Sequence, residues 1–200
     1  MSKKGFTLIE LLIVVAIIAI LAAIAVPNFL EAQTRAKTSR VKADMRSLNT
    51  ALEAYRIDFN RYAPMSDYGL TDSPYLSAPG FHSRMPSVLT TPLAYMTSLP
   101  LDIFMPKSTF SSPTYPESTK VGYRFVYFNY DNMIRDNPGS ATLPPRRDVA
   151  GSWLFYSYGP DKDPLNLGAG SVYINFDPTN GTVSAGNIFR TQRVPDKYGN

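Results

Sequence analysis

The chain opens with a long apolar run, and after Pro27 the pattern changes to alternating apolar and polar positions. Phe6 to Val26 is 21 residues long, and only Thr7 and Glu10 interrupt it with polar side chains. A helix of this length extends ~31 Å, which is close to the thickness of a bilayer core. Because the run is apolar on all sides, we expect residues 6–26 to be buried in lipid or against other copies of the same segment.

A second helical pattern follows without a loop signal. Its apolar residues recur at intervals of four and three and form one stripe: Val41, Met45, Leu48, Leu52, Tyr55 and Phe59. Such a stripe predicts the face on which a globular head packs. We therefore predict one long helix, bent at Pro27, with an amphipathic part over residues 27–62 that ends between Asn60 and Ala63, before Pro64.

The rest of the chain, residues 63–200, is predicted to form the globular head. Residues 63–120 are proline-rich, with nine prolines between Pro64 and Pro116. This composition favours a packed irregular region with a short helical turn at Ser87–Met96; a disordered segment is the alternative. Residues 121–200 are rich in aromatic and β-branched side chains, which are typical of strands.

Three strands are predicted in this last part, at Val121–Tyr130, Trp153–Tyr158 and Val172–Phe176. Asn180-Gly181 predicts a hairpin turn, and Asn187–Arg190 a short edge strand. The predicted fold class is therefore α+β, with a long N-terminal helix packed on a small antiparallel β-sheet.

Composition narrows the possible functions. The net charge is +4 and falls to +2 without Lys3 and Lys4, so it gives little reason to expect nucleic acid as a partner. The absence of cysteine excludes disulfides, thiol catalysis and cysteine-based zinc sites. The one histidine, His82, lies in the proline-rich region without an accompanying catalytic motif. We therefore predict no catalytic residues and no enzymatic activity, and a membrane-anchored hydrolase is the least favoured class.

Glu10 is the exception in the apolar run, because a carboxylate in hydrocarbon is costly and indicates a functional role. With its flanks, Lys3-Lys4-Gly5-Phe6-Thr7-Leu8-Ile9-Glu10-Leu11-Leu12, it resembles the N-terminus of the type IV pilin and pseudopilin superfamily. Members of that superfamily carry a basic leader, a Gly-Phe junction, Thr-Leu-Ile-Glu and about twenty apolar residues. The resemblance directly covers about the first 30 residues.

The resemblance implies that residues 1–5 are a leader that a prepilin peptidase removes. The enzyme would cut between Gly5 and Phe6 and methylate the new amino group of Phe6. An ordinary signal peptide cut after Ala23-Ile24-Ala25 is the alternative, and it would leave Val26 as the first residue. With two lysines before the span, we expect a single-pass inner-membrane protein with a cytoplasmic N-terminus and an external head. After assembly the protein would form a periplasmic or extracellular filament.

For Glu10 the resemblance suggests a role in assembly. We predict that its carboxylate pairs with the amino group of Phe6 on a neighbouring subunit and sets the register of the filament. A pair with the amino group of its own chain, or snorkelling to the membrane surface, are the alternatives.

A metal site is predicted in the last third of the chain. Ser157-Tyr158-Gly159-Pro160-Asp161-Lys162-Asp163 resembles the calcium loop of major pseudopilins, and oxygen-rich loops of this kind suit calcium. Ser157, Asp161 and Asp163 are the candidate ligands, with Asp177 as a further one. A solvated turn is the alternative. The segment Leu99–Phe104 also partly resembles a Leu-Pro-x-Asp-Pro-Trp/Phe segment of major pseudopilins.

Together with the lack of cysteine, these features are most like the major pseudopilin of a type II secretion system. Such a protein polymerises through its N-terminal helix to drive protein export. The partners this implies are other copies of the chain, the prepilin peptidase, the inner-membrane platform, minor pseudopilins and, before assembly, membrane lipid. A type IV or competence pilin involved in adhesion or DNA uptake is the alternative.

Overall fold

The computed structural model describes residues 5–65, 84–105, 123–162, 167–168, 172–177, 179 and 184–193. The first element is helix α1, Leu8–Phe59, whose 52 residues form one helix that continues through Pro27. At 1.5 Å per residue α1 is ~78 Å long. It ends where Asn60 adopts a left-handed conformation with φ 52°. The prediction of a single long helix is confirmed.

The head follows in chain order. A 3-10 turn at Ser87–Leu89 precedes strand β1 (Val126–Asn129), helices α2 (Tyr130–Asp136) and α3 (Leu143–Ala150), and strand β2 (Trp153–Ser157). Two short strands, β3 (Leu167–Gly168) and β4 (Val172–Tyr173), come before β5 (Ile188–Thr191). Strands β1, β2 and β5 form a three-stranded antiparallel sheet with β2 in the centre, while β3 and β4 pair only with each other.

The predicted strand positions need two corrections. Val172–Phe176 was expected in the main sheet, but its only strand residues form β4, and β5 is the third strand instead. The strand predicted over Val121–Tyr130 is confined to Val126–Asn129 in the described part, because Tyr130 already begins α2. The predicted turn at Asn180-Gly181 lies outside the described residues.

The helical turn predicted within Ser87–Met96 is present as the 3-10 turn. Helices α2 and α3 were not predicted, although each carries a recognisable start. The side chain of Asn129 caps α2 by accepting a hydrogen bond from Asn132 N at 3.1 Å. Two prolines, Pro144 and Pro145, lie in the first turn of α3, where proline suits a helix.

The core of the head forms between the second half of α1 and the sheet. Five residues of the predicted stripe are buried in one cluster with side chains from β1, β2 and β5: Val41, Met45, Leu48, Leu52 and Tyr55. The sixth, Phe59, is 47% exposed and stacks on Tyr55 with ring centroids 4.4 Å apart. All five residues of β2 are buried, so this strand is covered on both faces. The α+β fold class is confirmed.

Docking of the head uses only part of the long helix. From Leu8 to Lys37 no residue of α1 is buried, and the first buried position is Thr38. The described part of the head therefore covers one half of α1, and no described residue outside α1 buries the apolar half.

Candidate functional site

The segment before α1 exposes the predicted cleavage junction. Gly5, Phe6 and Thr7 precede the helix and are exposed, and the side chain of Phe6 is 74% accessible. A Cβ atom built on Gly5 would have nothing within 4 Å. The Gly5–Phe6 bond is thus open to a processing enzyme, but the predicted cleavage and methylation stay predictions.

Thr7 and Glu10 together start the helix. The carboxylate oxygen Oε2 of Glu10 accepts hydrogen bonds from Thr7 N at 2.9 Å and from Thr7 Oγ1 at 2.6 Å. In return, Glu10 N donates to Thr7 Oγ1 at 3.3 Å. This reciprocal capping box satisfies amides that a helix start otherwise leaves unpaired, and the helix dipole favours a negative charge there. Among the described residues, the other oxygen, Oε1, receives no hydrogen bond.

The intrachain partner of Glu10 is therefore Thr7. The alternative that pairs Glu10 with the Phe6 amino group of its own chain stays a prediction for the cleaved chain. In the uncut chain the Phe6 nitrogen is an amide, and it becomes an amine only if the leader is removed. The predicted pairing of Glu10 with Phe6 of a neighbouring subunit stays a prediction.

The apolar half of α1 is a continuous exposed hydrophobic surface. Large apolar side chains from Leu8 to Leu30 are about half exposed or more. In the described part of the chain, α1 is the one helix that is long and apolar enough to cross a membrane. An exposed apolar surface of this size marks a site of membrane or protein association.

A polar network fixes the head to the other end of α1. The hydroxyl of Tyr62 accepts hydrogen bonds from Arg56 at 2.8 Å and from Gln192 Nε2 at 2.7 Å, and it donates to Glu53 Oε1 at 3.1 Å. Trp153 Nε1 donates to the same carboxylate at 3.4 Å. Desolvation, followed by the charge of Glu53, raises the pKa of Tyr62. The network orients the head on the helix.

Asp102 is the most connected buried acid in the described head. Its Oδ1 accepts hydrogen bonds from Ser157 Oγ at 2.7 Å and from Phe104 N at 3.0 Å, and its Oδ2 accepts one from Tyr158 N at 3.0 Å. Burial raises the pKa of Asp102, while these donors and the nearby Arg84 guanidinium act in the opposite direction. Asp102 thus ties the loop after residue 84 to the end of β2.

The described candidate calcium ligands each have a hydrogen-bond partner within the chain. The Ser157 hydroxyl is buried and donates to Asp102. Asp161 Oδ2 accepts a hydrogen bond from Gly186 N at 2.9 Å, and Asp177 Oδ1 accepts one from Thr179 N at 2.8 Å. The described part of the chain holds no cluster of three or more acidic or histidine side chains. Asp163 lies outside the described residues.

The turn after β2 is held by close backbone contact instead. Gly159 has φ 77°, and a Cβ at this position would lie 2.1 Å from the carbonyl oxygen of Gly186. Only glycine permits this approach, which brings Asp161 to the segment before β5. These contacts join the turn after β2 to the segment before β5.

Calcium binding stays a prediction, which thermal unfolding of the full chain in detergent tests. If Asp161 and Asp163 bind calcium, millimolar calcium raises the melting temperature and a chelator reverses the rise. Magnesium at the same concentration is the control. A melting temperature that calcium and chelator leave unchanged would contradict the prediction.

Comparison with known proteins agrees with the N-terminal geometry. Residues 1–26 match the prokaryotic N-terminal methylation motif. Over 65 residues, 32% of this chain and 30% of the relative, the chain is 50% identical to the type IV major pilin protein PilA of Myxococcus xanthus. Over 77 residues, 36% of this chain and 59% of the relative, it is 49% identical to the type IV wide pilus major component PilA4 of Thermus thermophilus.

The chain is also similar to secretion proteins. It is 39% identical to the type II secretion system core protein G of Klebsiella michiganensis over 69 residues, 34% of this chain and 48% of the relative. No solved structure matches the chain. The motif and these relatives make the chain similar to type IV pilins and pseudopilins, which agrees with its long apolar helix. The matched regions span 30–59% of the length of these three relatives.

The sequence analysis did not identify the roles of two residues, Thr7 at the start of α1 and Asp102 in the head. Thr7 was treated only as part of the motif, although Thr-x-x-Glu before an apolar run is the signature of a capping box. Asp102 was identified only as part of a partial resemblance, and nothing in the local sequence indicates its contact with Ser157. The first omission was avoidable, and the second was not.

Proposed function

We propose that the chain is a structural subunit of a type II secretion pseudopilus, which polymerises through α1 to drive protein export. The observation that carries the proposal is the apolar half of α1, which the head leaves uncovered and which contains Glu10 near its start. Similarity to core protein G, the absence of cysteine and the two partial resemblances in the head favour this system.

The mechanism follows from the two environments of α1. Before assembly, lipid covers the apolar half and the head lies outside the cytoplasm. In the filament, copies of α1 cover one another, and much of the apolar burial is exchanged from lipid rather than gained from water. Specific polar contacts such as Glu10 with the Phe6 amine then set the register. The energy for extraction comes from other components of the system.

A second candidate function is a type IV or competence pilin. Identity to the two pilins, 50% and 49%, is higher than the 39% to core protein G. These matches cover about a third of the chain, at most 77 of its 200 residues. Identity over so small a share does not decide between the two systems.

Deletion of the gene distinguishes the candidates. A pseudopilin deletion leaves exported enzymes inside the cell and does not change surface motility, adhesion or DNA uptake. A pilin deletion has the opposite effect. Complementation with the intact gene is the control, and normal export in the deletion strain would contradict the secretion role.

Processing provides a separate test. Mass spectrometry of the protein from membranes should find Phe6 as the first residue, carrying one additional methyl group. Gly5→Leu should leave the leader attached and prevent assembly, because the junction glycine offers an unhindered backbone to the peptidase. A mature protein that begins at Val26 would instead show an ordinary signal peptide.

A further inference from the structure

Helix α1 carries two opposite faces that continue from the apolar half into the charged half. One face bears exposed isoleucines and then an ion pair: Ile13, Ile17, Ile20, Ile24, Glu31 and Arg35. At 100° per residue, the opposite face contains Ala22, Val26, Phe29, Gln33, Arg40 and Asp44. Each residue of the second set lies nine positions after its counterpart in the first, which is about two and a half helical turns.

The charges on the two faces are reversed. Glu31 precedes Arg35 on the first face and forms an i,i+4 ion pair with it. On the second face the base comes first, and Arg40 Nε lies 4.0 Å from Asp44 Oδ2. If two parallel copies of α1 pack with an offset of nine residues, ~13.5 Å, Glu31 of one copy faces Arg40 of the other and Arg35 faces Asp44. The same offset places three of the isoleucines opposite Ala22, Val26 and Phe29, and the fourth, Ile24, opposite Gln33.

At the level of Arg40 and Asp44, the head and the second face of α1 together form a groove. Between α1 and the loop of residues 96–103 lies an open cavity of about 690 Å³, floored by Arg40, Asp44 and Ser47. Leu101 and Ile103 line its wall and are 38% and 36% exposed. A helix seated here would lay the aliphatic stems of Glu31 and Arg35 against these apolar side chains while their charged ends reach the floor.

We propose that this groove receives the Glu31–Arg35 stretch of α1 from a second copy of the chain, displaced by nine residues along the filament axis. The inference rests on the proposed polymerisation and adds a contact to it. A filament surrounds each copy with several neighbours, so this contact is separate from the pairing of Glu10 with Phe6. The continuous face from Ala22 to Asp44 and the reversed charges select a second copy as the occupant.

The proposed contact is heterologous, because two different faces of the same chain meet. Such an interface does not close on itself and extends into an open filament. Exposed ion pairs contribute little affinity, so we expect the two pairs to determine the offset, while apolar burial supplies the attraction. An offset that aligned like charges would be disfavoured.

The chain contains no cysteine, so disulfide formation can test the contact directly. Glu31→Cys/Arg40→Cys places two thiols on opposite sides of one helix, ~13.5 Å apart along its axis, which is too far for an intrachain disulfide. In cells that assemble the protein, oxidation should yield a ladder of covalent dimers, trimers and longer species. Either single variant should yield dimers at most.

Glu31→Cys/Arg46→Cys is the matched control, because Arg46 is also exposed but lies on nearly the same side of α1 as Glu31. A ladder of equal intensity from this pair would show nonspecific collisions and overturn the proposal. Filaments that form normally but give no ladder from Glu31→Cys/Arg40→Cys would overturn it too, and would leave the proposed function standing. If the unaltered protein forms no filaments, the proposed function itself fails.

Charge reversal gives an independent measurement. Glu31→Arg and Arg40→Glu should each reduce filament yield about three- to tenfold, because like charges then meet between copies. The double variant should recover most of the yield. In that variant both i,i+4 pairs within the chain become like-charge pairs, so recovery can come only from contact between copies. A double variant weaker than either single one would contradict the proposed register.

Discussion

Replacing Glu10 with leucine should leave cleavage and membrane insertion intact and abolish incorporation of the chain into filaments. Glu10 lies in the first turn of α1, where a carboxylate costs less than the ~2.5–3.5 kcal/mol that insertion scales give for the helix centre, so its removal does not oppose membrane insertion. In the filament, the same change leaves the Phe6 amino group without its proposed acceptor. Loss of one partner from a buried ion pair costs ~3–5 kcal/mol, enough to reduce assembly by more than about a hundredfold.

The helix cap that Glu10 forms in the structure and its proposed pairing between chains can be tested separately. Within the chain its Oε2 caps the helix through Thr7, whereas the proposed contact between chains uses the charge. Glu10→Gln retains an acceptor for the capping box but removes the charge. Thr7→Ala retains the charge and weakens the cap by about 1 kcal/mol. We expect the glutamine variant to fail in assembly and the alanine variant to assemble with a modest loss.

Filament yield after shearing, compared with the amount of processed protein in membranes, measures this difference. The amount of processed protein controls for expression and cleavage. If Glu10→Gln assembles normally and Thr7→Ala does not, the helix cap is the important feature and the pairing idea is wrong. Normal assembly by Glu10→Leu would exclude both roles.

The long helix could be predicted because its signals are local and repeated. The apolar spacing over residues 41–59 and the proline at 27 lie within α1, and the polar residues that mark its end directly follow Phe59. The exposed apolar half was also predictable, since a segment that is apolar on all sides has no single face for its own head. The roles of Gly5, Phe6 and Glu10 were inferred from the resemblance of the N-terminal motif, and they stay predictions.

The head was harder to predict because its short elements depend on tertiary contacts. Tyr130 continues an aromatic strand-like run, yet its amide donates to the carbonyl of Ser152 at 2.8 Å and it begins α2. Strand β5 is an edge strand, as predicted, but its pairing with β2 could not be inferred from its own four residues. Helices of seven or eight residues give too few repeats for periodicity to decide.

The Ser157 side chain illustrates the limit for the candidate metal site. A local resemblance placed its hydroxyl among calcium ligands, but its hydrogen-bond partner, Asp102, lies 55 residues earlier in the chain. Sequence order carries no information about such a pair. The contact became visible only when the loop after Arg84 and the end of β2 were placed together.

Asp102→Ala should destabilise the head by about 3–5 kcal/mol, because it removes the acceptor shared by three donors. The Ser157 hydroxyl and the amides of Phe104 and Tyr158 would remain buried without it. Asp102→Asn should reduce the stability of the head somewhat less. Its amide oxygen can still accept hydrogen bonds from two donors, while its NH₂ group faces the third donor and cannot accept from it. Asp177→Ala is the control, because Asp177 is exposed and caps only a local turn.

The single tryptophan, Trp153, makes the loss of stability in the Asp102 variants measurable in the full chain. It is 1% exposed and lies against Tyr62, so its fluorescence in detergent reports unfolding of the head and not of the apolar helix.

Ser157→Ala, which removes one of the three donors to Asp102, should lower the stability of the head by about 1 kcal/mol. The same variant also tests whether the Ser157 hydroxyl is a calcium ligand. If Ser157 serves only Asp102, calcium shifts the unfolding of the variant and of the unaltered chain equally. If Ser157→Ala abolishes a calcium response, the Ser157 hydroxyl is a calcium ligand. If Asp102→Ala leaves the stability of the head unchanged, the buried Asp102 carboxylate does not hold the loop to β2.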